Sequence, residues 1–143
     1  MAGLAIITGA GRGIGAATAL TFARAGFDIC INFATDKASA DSVAQNCRSF
    51  GVKSEIFQAD VADPQAVRDM FEFCDQNFAP LAVLVNNAGI IGQATTVQNL
   101  QSQTLQDTFG VNVFGAFYCA AQSIKRMSKE NGGAGGVIIN ISS

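Results

Sequence analysis

The sequence predicts an α/β fold, namely a doubly wound parallel sheet with helices on both faces. Two observations indicate it: short β-rich runs alternate with runs of helical period, and a glycine-rich loop separates the first run of each kind. The chain has 143 residues, of which 49% are hydrophobic and 14% are charged. This is enough to bury one core but short for two, so we expect a single domain.

Five β-rich runs are expected to form the sheet. Right-handed crossovers, with a switch point between the first and fourth strands, predict the strand order 3-2-1-4-5. A ligand of such a sheet binds outside the carboxyl ends of the strands, so the residues that follow each strand are the candidates for function. The predicted strands are 4–8, 28–33, 54–58, 82–85 and 137–142.

The first two helices are predicted from apolar spacing and from the glycines that follow them. Apolar residues in 14–25 recur at the i, i+3, i+4, i+7 spacing of one helix face. Gly26 comes next, and glycine readily adopts the left-handed conformation that ends many helices. The second helix is expected over about 38–50 and stops at Gly51.

The third helix has a clear start, and the fourth is recognised mainly by its length. The third opens at Asp63, a capping carboxylate, followed by Pro64 at the first helical position. The fourth is predicted as a long helix over about 102–129, with the glycine-rich loop 131–136 after it. The apolar stripe expected on the third helix is Val67, Met70, Phe71, Cys74 and Phe78.

A phosphate-binding turn is indicated between the first strand and the first helix. Glycines permit a tight turn, a close approach of the backbone to a pyrophosphate and close packing of the helix on the strand. The start of the helix then directs its free N–H groups and its positive dipole end at the phosphates. The glycines at 9, 13 and 15 do not match the G-x-G-x-x-G pattern, so this loop alone does not decide the function. Its sequence is Thr8-Gly9-Ala10-Gly11-Arg12-Gly13-Ile14-Gly15.

Composition excludes several other functions. The formal net charge is -2 and the nine basic residues are scattered, so neither nucleic acid nor an anionic membrane is an expected partner. No apolar run is long enough to span a membrane and no signal peptide is recognised, so we expect a cytoplasmic protein. The chain has no histidine, which excludes a Ser-His-Asp triad and an H-E-x-x-H zinc helix, and no metal is expected.

The cysteines are expected to be buried free thiols: Cys30, Cys47, Cys74 and Cys119.

Three further motifs stand at the ends of strands. Asp60-Val61 follows the third strand, Asn86-Asn87-Ala88-Gly89 follows the fourth, and Asn140-Ile141-Ser142-Ser143 closes the fifth. Each by itself is an ordinary turn or strand-end signal. Together with T-G-x-x-x-G-I-G they resemble the short-chain dehydrogenase/reductase family, over nearly all of the chain. Bacterial ketoacyl reductases and sugar dehydrogenases are the similar members.

The resemblance implies a Rossmann fold that binds NAD(P) and an oxidoreductase that moves a hydride to or from a carbonyl or secondary alcohol. Asp60 and Val61 would hold the adenine ring, and Asn86 would brace the sheet or the neighbouring helix. The turn Asn87-Ala88-Gly89 would pass under the cofactor. The residues implied around the pyrophosphate and the adenosine ribose are Gly9, Arg12, Gly13, Ile14 and Gly15.

The resemblance also implies two catalytic residues. Ser143 matches the serine that positions the substrate carbonyl, although a residue that merely closes a strand is an open alternative. Asn112 matches an asparagine that sits at a helix distortion and holds a water of the proton relay; a satisfied polar residue at a packing seam is the alternative. The loop 90–97 is expected to form one wall of a small-molecule substrate pocket.

The proton donor of the family is the tyrosine of Y-x-x-x-K, and this chain lacks that motif. Its one tyrosine, Tyr118, is followed four residues later by Gln122 and is expected in the core or at a packing seam of the fourth helix. We therefore expect residues 1–143 to be the N-terminal portion of a longer single-domain enzyme, with further strands downstream. A non-catalytic dinucleotide sensor or scaffold is the alternative if the chain ends at Ser143. A methyltransferase is disfavoured by N-N-A-G and N-I-S-S.

The choice between NADP and NAD depends on a few residues near the second strand. Arg12 favours NADP, because its forked donors match a 2′-phosphate, and Asn32, Thr35 and Lys37 are possible further donors. Asp36 keeps NAD open, because an acid at this distance accepts from a ribose hydroxyl, although it can instead start the second helix. We also expect a homodimer or homotetramer through the fourth helix. Its apolar residues, which can equally be core, are Phe109, Val113, Phe114 and Phe117.

Overall fold

Five strands form one parallel sheet in the computed structural model, which describes residues 2–143. Their order is β3-β2-β1-β4-β5, and every neighbouring pair is parallel. The predicted fold class and strand order are confirmed. The strands are β1 Leu4–Ile7, β2 Asp28–Phe33, β3 Ser54–Gln58, β4 Leu81–Asn86 and β5 Val137–Asn140.

Three helices connect the first four strands: α1 Gly13–Arg24, α2 Lys37–Arg48 and α3 Pro64–Asn77. The Asp63 carboxylate accepts a hydrogen bond from the Gln65 backbone N–H at 2.9 Å, which is the capping role predicted for it. Gly26 has a φ of 89° just after α1, as the C-terminal glycine signal predicts. Local signals therefore locate these helices to within one or two residues.

The fourth helical region is long, as predicted, and it is interrupted around Asn112, where the resemblance implied a helix distortion. Helix α4 spans Ser102–Phe109, a π-helical segment covers Gly110–Gly115, and α5 spans Ala116–Met127. The glycines at both ends of the π segment pack against the turn after β3. A Cβ on Gly115 would lie 2.6 Å from Val61 Cγ2, and one on Gly110 would lie 3.2 Å from Ala62 Cβ. This close approach is the physical setting of the distortion.

Two apolar cores lie on opposite faces of the sheet. One packs α1 and α2 against the sheet around Ile7, Ile29, Ile31 and Val85. The other packs α3 and α5 on the opposite face, where Phe71 and Met70 are fully buried. Because both faces are covered, strand β1 is buried at all four positions, as a central parallel strand should be.

The cysteines lie in these cores as free thiols, as predicted: Cys30, Cys47, Cys74 and Cys119 are all buried. Burial raises the pKa of the Cys119 thiol to about 12. A hydrogen bond with Cys74, together with burial, raises the pKa of Cys30. The four cysteines are packing residues.

Over residues 2–143, no helix is long and apolar enough to cross a membrane.

Candidate functional site

A cleft of about 410 Å³ opens at the carboxyl end of the sheet, where β1 and β4 are neighbours but their crossovers run in opposite directions. Its walls are the loop after β1, the end of β2, the turn after β3 and the turn after β4. A second cavity of about 330 Å³ adjoins it. The two cavities share Val61, Ala88 and Val111 as wall residues. The predicted site residues therefore meet at the topological switch point, where ligands of this architecture bind.

The start of α1 presents hydrogen-bond donors to the cleft. The N–H of Ala16 bonds to the Arg12 carbonyl at 3.2 Å, whereas the N–H groups of Gly13, Ile14 and Gly15 find no acceptor among residues 2–143. Gly13 and Ile14 line the cleft. Free N–H groups at the positive end of a twelve-residue helix form a site for an anion such as phosphate.

Two glycines of the loop are required by close contacts. Gly9 has a φ of 60°, and a Cβ on it would lie 2.9 Å from the Ala88 Cα. A Cβ on Gly15 would lie 2.5 Å from Asn87 Nδ2. The loop and the turn after β4 thus touch through backbone and amide groups, with no room for side chains between them.

Thr8 and Asn87 join the ends of β1 and β4. The Thr8 Oγ1 accepts from the backbone N–H of Asn87 at 3.0 Å and of Ala88 at 2.9 Å. In return, Asn87 Nδ2 donates to the carbonyls of Thr8 and Gly9, each at 3.0 Å. The glycine loop and the N-N-A-G turn are therefore held as one unit. Sequence reasoning did not single out Thr8, although its place between a buried strand and the first glycine was the available signal.

Asn86 braces both the sheet and the adjacent helix. Its Nδ2 donates to Asn140 Oδ1 at 3.0 Å, across the β4–β5 pair, and to the Ala116 carbonyl at 3.2 Å, at the start of α5. Both alternatives raised for this residue therefore occur together. The brace fixes β5, and with it the Asn140-Ile141-Ser142 segment that lines the second cavity.

Asn112 lies inside the π segment and clamps the loop after β4. Its Oδ1 accepts from the Ile90 N–H and its Nδ2 donates to the Ile90 carbonyl, both at 2.7 Å. Both ends of the side-chain amide are thus used by one backbone unit. Asn112 also lines the second cavity together with Ser142. Ser143 follows Ser142 and is exposed, and it is not part of that cavity wall.

Arg12 and Asp36 face the same end of the cleft, beside the end of β2. Asp36 caps α2: its Oδ1 accepts from the Ser39 N–H at 3.0 Å, and its Oδ2 accepts from the Ser39 hydroxyl at 2.6 Å. These bonds from Ser39, aided by the charge of Arg12, lower the pKa of the Asp36 carboxyl. Asp36 therefore starts the second helix, which is one of the two roles that the sequence left open for it.

Two of the further donors suggested near Arg12 are already engaged. Asn32 is buried, and its Nδ2 donates to the carbonyls of Ala59 and Phe57, so it offers no donor to a ligand. The Lys37 ammonium pairs with Asp41 at 2.7 Å on the exposed side of α2. Thr35 remains on the cleft wall. The expectation of three further donors is corrected to one.

The turn after β3 places its two motif residues differently. Val61 is buried and borders both cavities. Asp60 is exposed on the cleft wall, and its Oδ1 accepts from the Ala62 N–H at 2.9 Å. One carboxylate oxygen of Asp60 is therefore used to shape the turn. Tyr118, by contrast, packs partly buried against the α3-side core, as expected for a residue at a seam.

Comparisons with known proteins agree with this geometry. The model of the short chain dehydrogenase family matches residues 3–143. The uncharacterized oxidoreductase YgfF of Escherichia coli is 41% identical over 140 residues, covering 98% of this chain and 57% of that protein. The 3-oxoacyl-(acyl-carrier-protein) reductase FabG of Staphylococcus aureus is 37% identical over 139 residues, covering 97% and 55%. The chain thus spans about half the length of these relatives.

A solved structure is similar over the same range. A short chain dehydrogenase of Burkholderia cenocepacia, determined in complex with NADP, superposes with a TM-score of 0.88 at 32% identity. The match covers 97% of this chain and 54% of that one.

The Thr8 hydroxyl should be needed for stability. Thr8→Val keeps the shape but leaves the N–H groups of Asn87 and Ala88 without their acceptor, so we expect the free energy of unfolding of the full-length protein to fall by about 2–4 kcal/mol. Thr8→Ser should recover most of it. Urea denaturation measures both. The control is Thr21→Val, which removes an exposed hydroxyl bonded only within α1. We expect it to lower the free energy of unfolding by about 0.5 kcal/mol or less. A Thr8→Val protein as stable as its parent would contradict the assignment.

Proposed function

Because the chain belongs to the short-chain dehydrogenase family, we propose that its protein is an oxidoreductase that moves a hydride between a nicotinamide cofactor and a carbonyl or secondary alcohol of a small molecule. The carrying observation is the anion-binding start of α1, which lies against the N-N-A-G turn in one cleft at the switch point. When bound, the cofactor supplies the hydride. The residues of this chain bind it, orient it and shape the place where the substrate enters.

Each predicted binding residue has a role in this proposal. The N–H groups at the start of α1 would face the pyrophosphate, and Gly9 and Gly15 let the loop pack closely on the Asn87-Ala88 turn beside it. Asp60 and Val61 would hold the adenine ring, with one Asp60 oxygen left to accept from its amino group. The turn of Asn87, Ala88 and Gly89 would pass under the cofactor. The cleft wall supports this assignment because these residues line it together: Gly9, Arg12, Gly13, Ile14, Asp60, Val61, Asn87, Ala88 and Gly89.

We propose that the acid–base part of the reaction involves Ser143 together with residues that come before it and after it in the sequence. Ser143 would orient the substrate oxygen next to the cavity that Ser142 and Asn112 line. We propose that residues 1–143 form the N-terminal half of a single-domain enzyme and that a tyrosine and a lysine in the other half donate the proton. The coverage of the relatives, at about half their length, supports this division.

The proposed cofactor is NADP. Arg12 is exposed on the cleft wall, and its guanidinium suits a 2′-phosphate. Asp36, the acid that would favour NAD, has both carboxylate oxygens in hydrogen bonds with Ser39. The solved relative in complex with NADP is consistent with this choice.

Replacing Arg12 tests the function and the cofactor together. The parent protein should bind NADPH and consume it when a small ketone or aldehyde is present. Arg12→Gln should raise the Kd of NADPH by about 10-fold to 100-fold and that of NADH by about threefold or less, because only NADPH carries the phosphate. Fluorescence titration measures the two constants, and Arg68→Gln, an exposed arginine on α3, is the matched control. Equal losses for the two cofactors would refute the NADP assignment, and a parent that binds neither NADPH nor NADH would refute the function.

Asn112 should matter for turnover through its clamp on Ile90. Asn112→Ala frees the loop after β4 from its contact with the π segment, so we expect kcat to fall about 10-fold or more. The Kd of NADPH should change much less. Steady-state kinetics and a cofactor titration separate the two effects. Gln106→Ala, on the exposed side of α4, is the control. Unchanged turnover in Asn112→Ala would contradict any role of this clamp, or of the water relay that the resemblance implies, in catalysis.

The protein is further proposed to be a homodimer or homotetramer. The apolar residues that were expected on the fourth helix are exposed over the described chain: Phe109 at 48%, Val113 at 36%, Phe114 at 50% and Phe117 at 71%. An apolar stripe of this kind on one helical region favours association with a second copy.

Phe117→Glu should weaken this association, because it would bury a carboxylate in an apolar contact. Light scattering coupled to size-exclusion chromatography should give a lower mass for this variant than for the full-length parent. Gln76→Glu, an exposed position on α3, is the control with the same new charge. A parent protein that is already monomeric at all concentrations would overturn the proposal.

A further inference from the structure

Strand β2 carries one amide in the middle of an apolar core. Ile29, Cys30 and Ile31 are fully buried, and Asn32, the next residue, is 1% exposed. Burial of an amide costs free energy unless its donors and its acceptor are all satisfied. Asn32 is therefore expected to make a contribution that an apolar side chain at this position could not make.

The hydrogen bonds of Asn32 connect two walls of the cleft. Its Oδ1 accepts from the Gly9 N–H at 3.2 Å, and its backbone carbonyl accepts from the Ala10 N–H at 2.9 Å. On the other side, its Nδ2 donates to the Ala59 carbonyl at 3.0 Å and to the Phe57 carbonyl at 3.4 Å. One side chain thus joins the glycine loop to the backbone that leads directly into Asp60-Val61.

The bond to Gly9 also determines which loop donors remain for a ligand. The N–H groups of Gly9 and Ala10 are both taken by Asn32. The N–H groups of the loop that have no acceptor among residues 2–143 are those of residues 11–15, and the Asn32 amide ties the loop that carries them to the turn that carries Asp60. Only a side-chain amide provides an acceptor for one wall and donors for the other at this length.

We propose that Asn32 is a positioning residue that sets the spacing between the pyrophosphate end and the adenine end of the cofactor cleft. This inference rests on the proposed function, since it assumes a dinucleotide in that cleft. Asn32 borders the cleft, but its side chain is buried and its polar atoms are engaged, so it offers no hydrogen bond to the ligand itself. Its effect is therefore on the adenosine diphosphate half, which is common to NADPH and NADH.

Asn32→Leu in the full-length protein tests the spacing. Leucine has a similar volume and makes none of the bonds, so the Kd of NADPH, of NADH and of adenosine diphosphate should each rise by about 10-fold to 100-fold and by similar factors. The KM of the cofactor should rise with them, and kcat should fall much less. If Asn32→Leu does not fold, Asn32→Asp takes its place with the same expectation, because it keeps the acceptor for Gly9 and loses the donors to Ala59.

Ile29→Val is the matched control, since it disturbs the same buried strand far from the loop and should leave the three dissociation constants as they are. Unchanged constants in the folded Asn32 variant would overturn the inference, as would a loss confined to NADPH, a loss in kcat alone, or an equal loss in Ile29→Val. If the parent binds neither NADPH nor NADH, the proposed function fails and the inference fails with it. If the parent binds and the variant binds equally well, only the inference fails.

Discussion

The hydrogen bonds between Thr8 and the Asn87-Ala88 turn are the interaction on which the site depends. They lie where β1 and β4 end side by side, and the chain leaves the sheet in opposite directions from these two strands. A parallel pair leaves unpaired backbone groups at this point, and here one hydroxyl and one amide use them. The glycine loop can then turn tightly beside the N-N-A-G turn without exposing unsatisfied groups. The N–H groups of residues 11–15 have no acceptor among residues 2–143, and this is where we propose that the cofactor phosphates bind.

Most of the fold could be predicted because its signals are local. Strands buried on both faces appear as continuous apolar runs, and helix ends are marked by Asp63, Gly26 and Gly51, whose roles depend only on neighbouring backbone. The π segment could not be predicted in the same way. The apolar spacing continues through it, and the segment packs against Val61 and Ala62, about fifty residues away in the sequence. The hints in the sequence were Asn112, a residue poorly suited to a helix interior, and the glycines at 110 and 115, which are ambiguous within a helix.

The positions of the site residues could be predicted, but the partners of their side chains could not. The motifs located which residues follow each strand, because parallel strands bring those ends to one edge. Whether a polar group is free or engaged depends on partners from other strands. Asn32 looked like a ligand donor and is a buried bridge, whereas Asp36 is consumed by the cap of α2. An amide within a run of buried apolar residues is itself a signal of such a bridge, because it would otherwise be unstable.

The π segment links the walls of the two cavities. Gly115 lets it rest on Val61, which borders both cavities, while Asn112 holds Ile90 in the loop beyond the N-N-A-G turn. Asn86 adds a bond from β4 to the first residue of α5. A shift of this segment would therefore move the floor of the cleft and the wall of the adjoining cavity together. A π turn is rare within a helix and occurs frequently at functional sites, and here it packs on Val61, one of the residues that both cavities share.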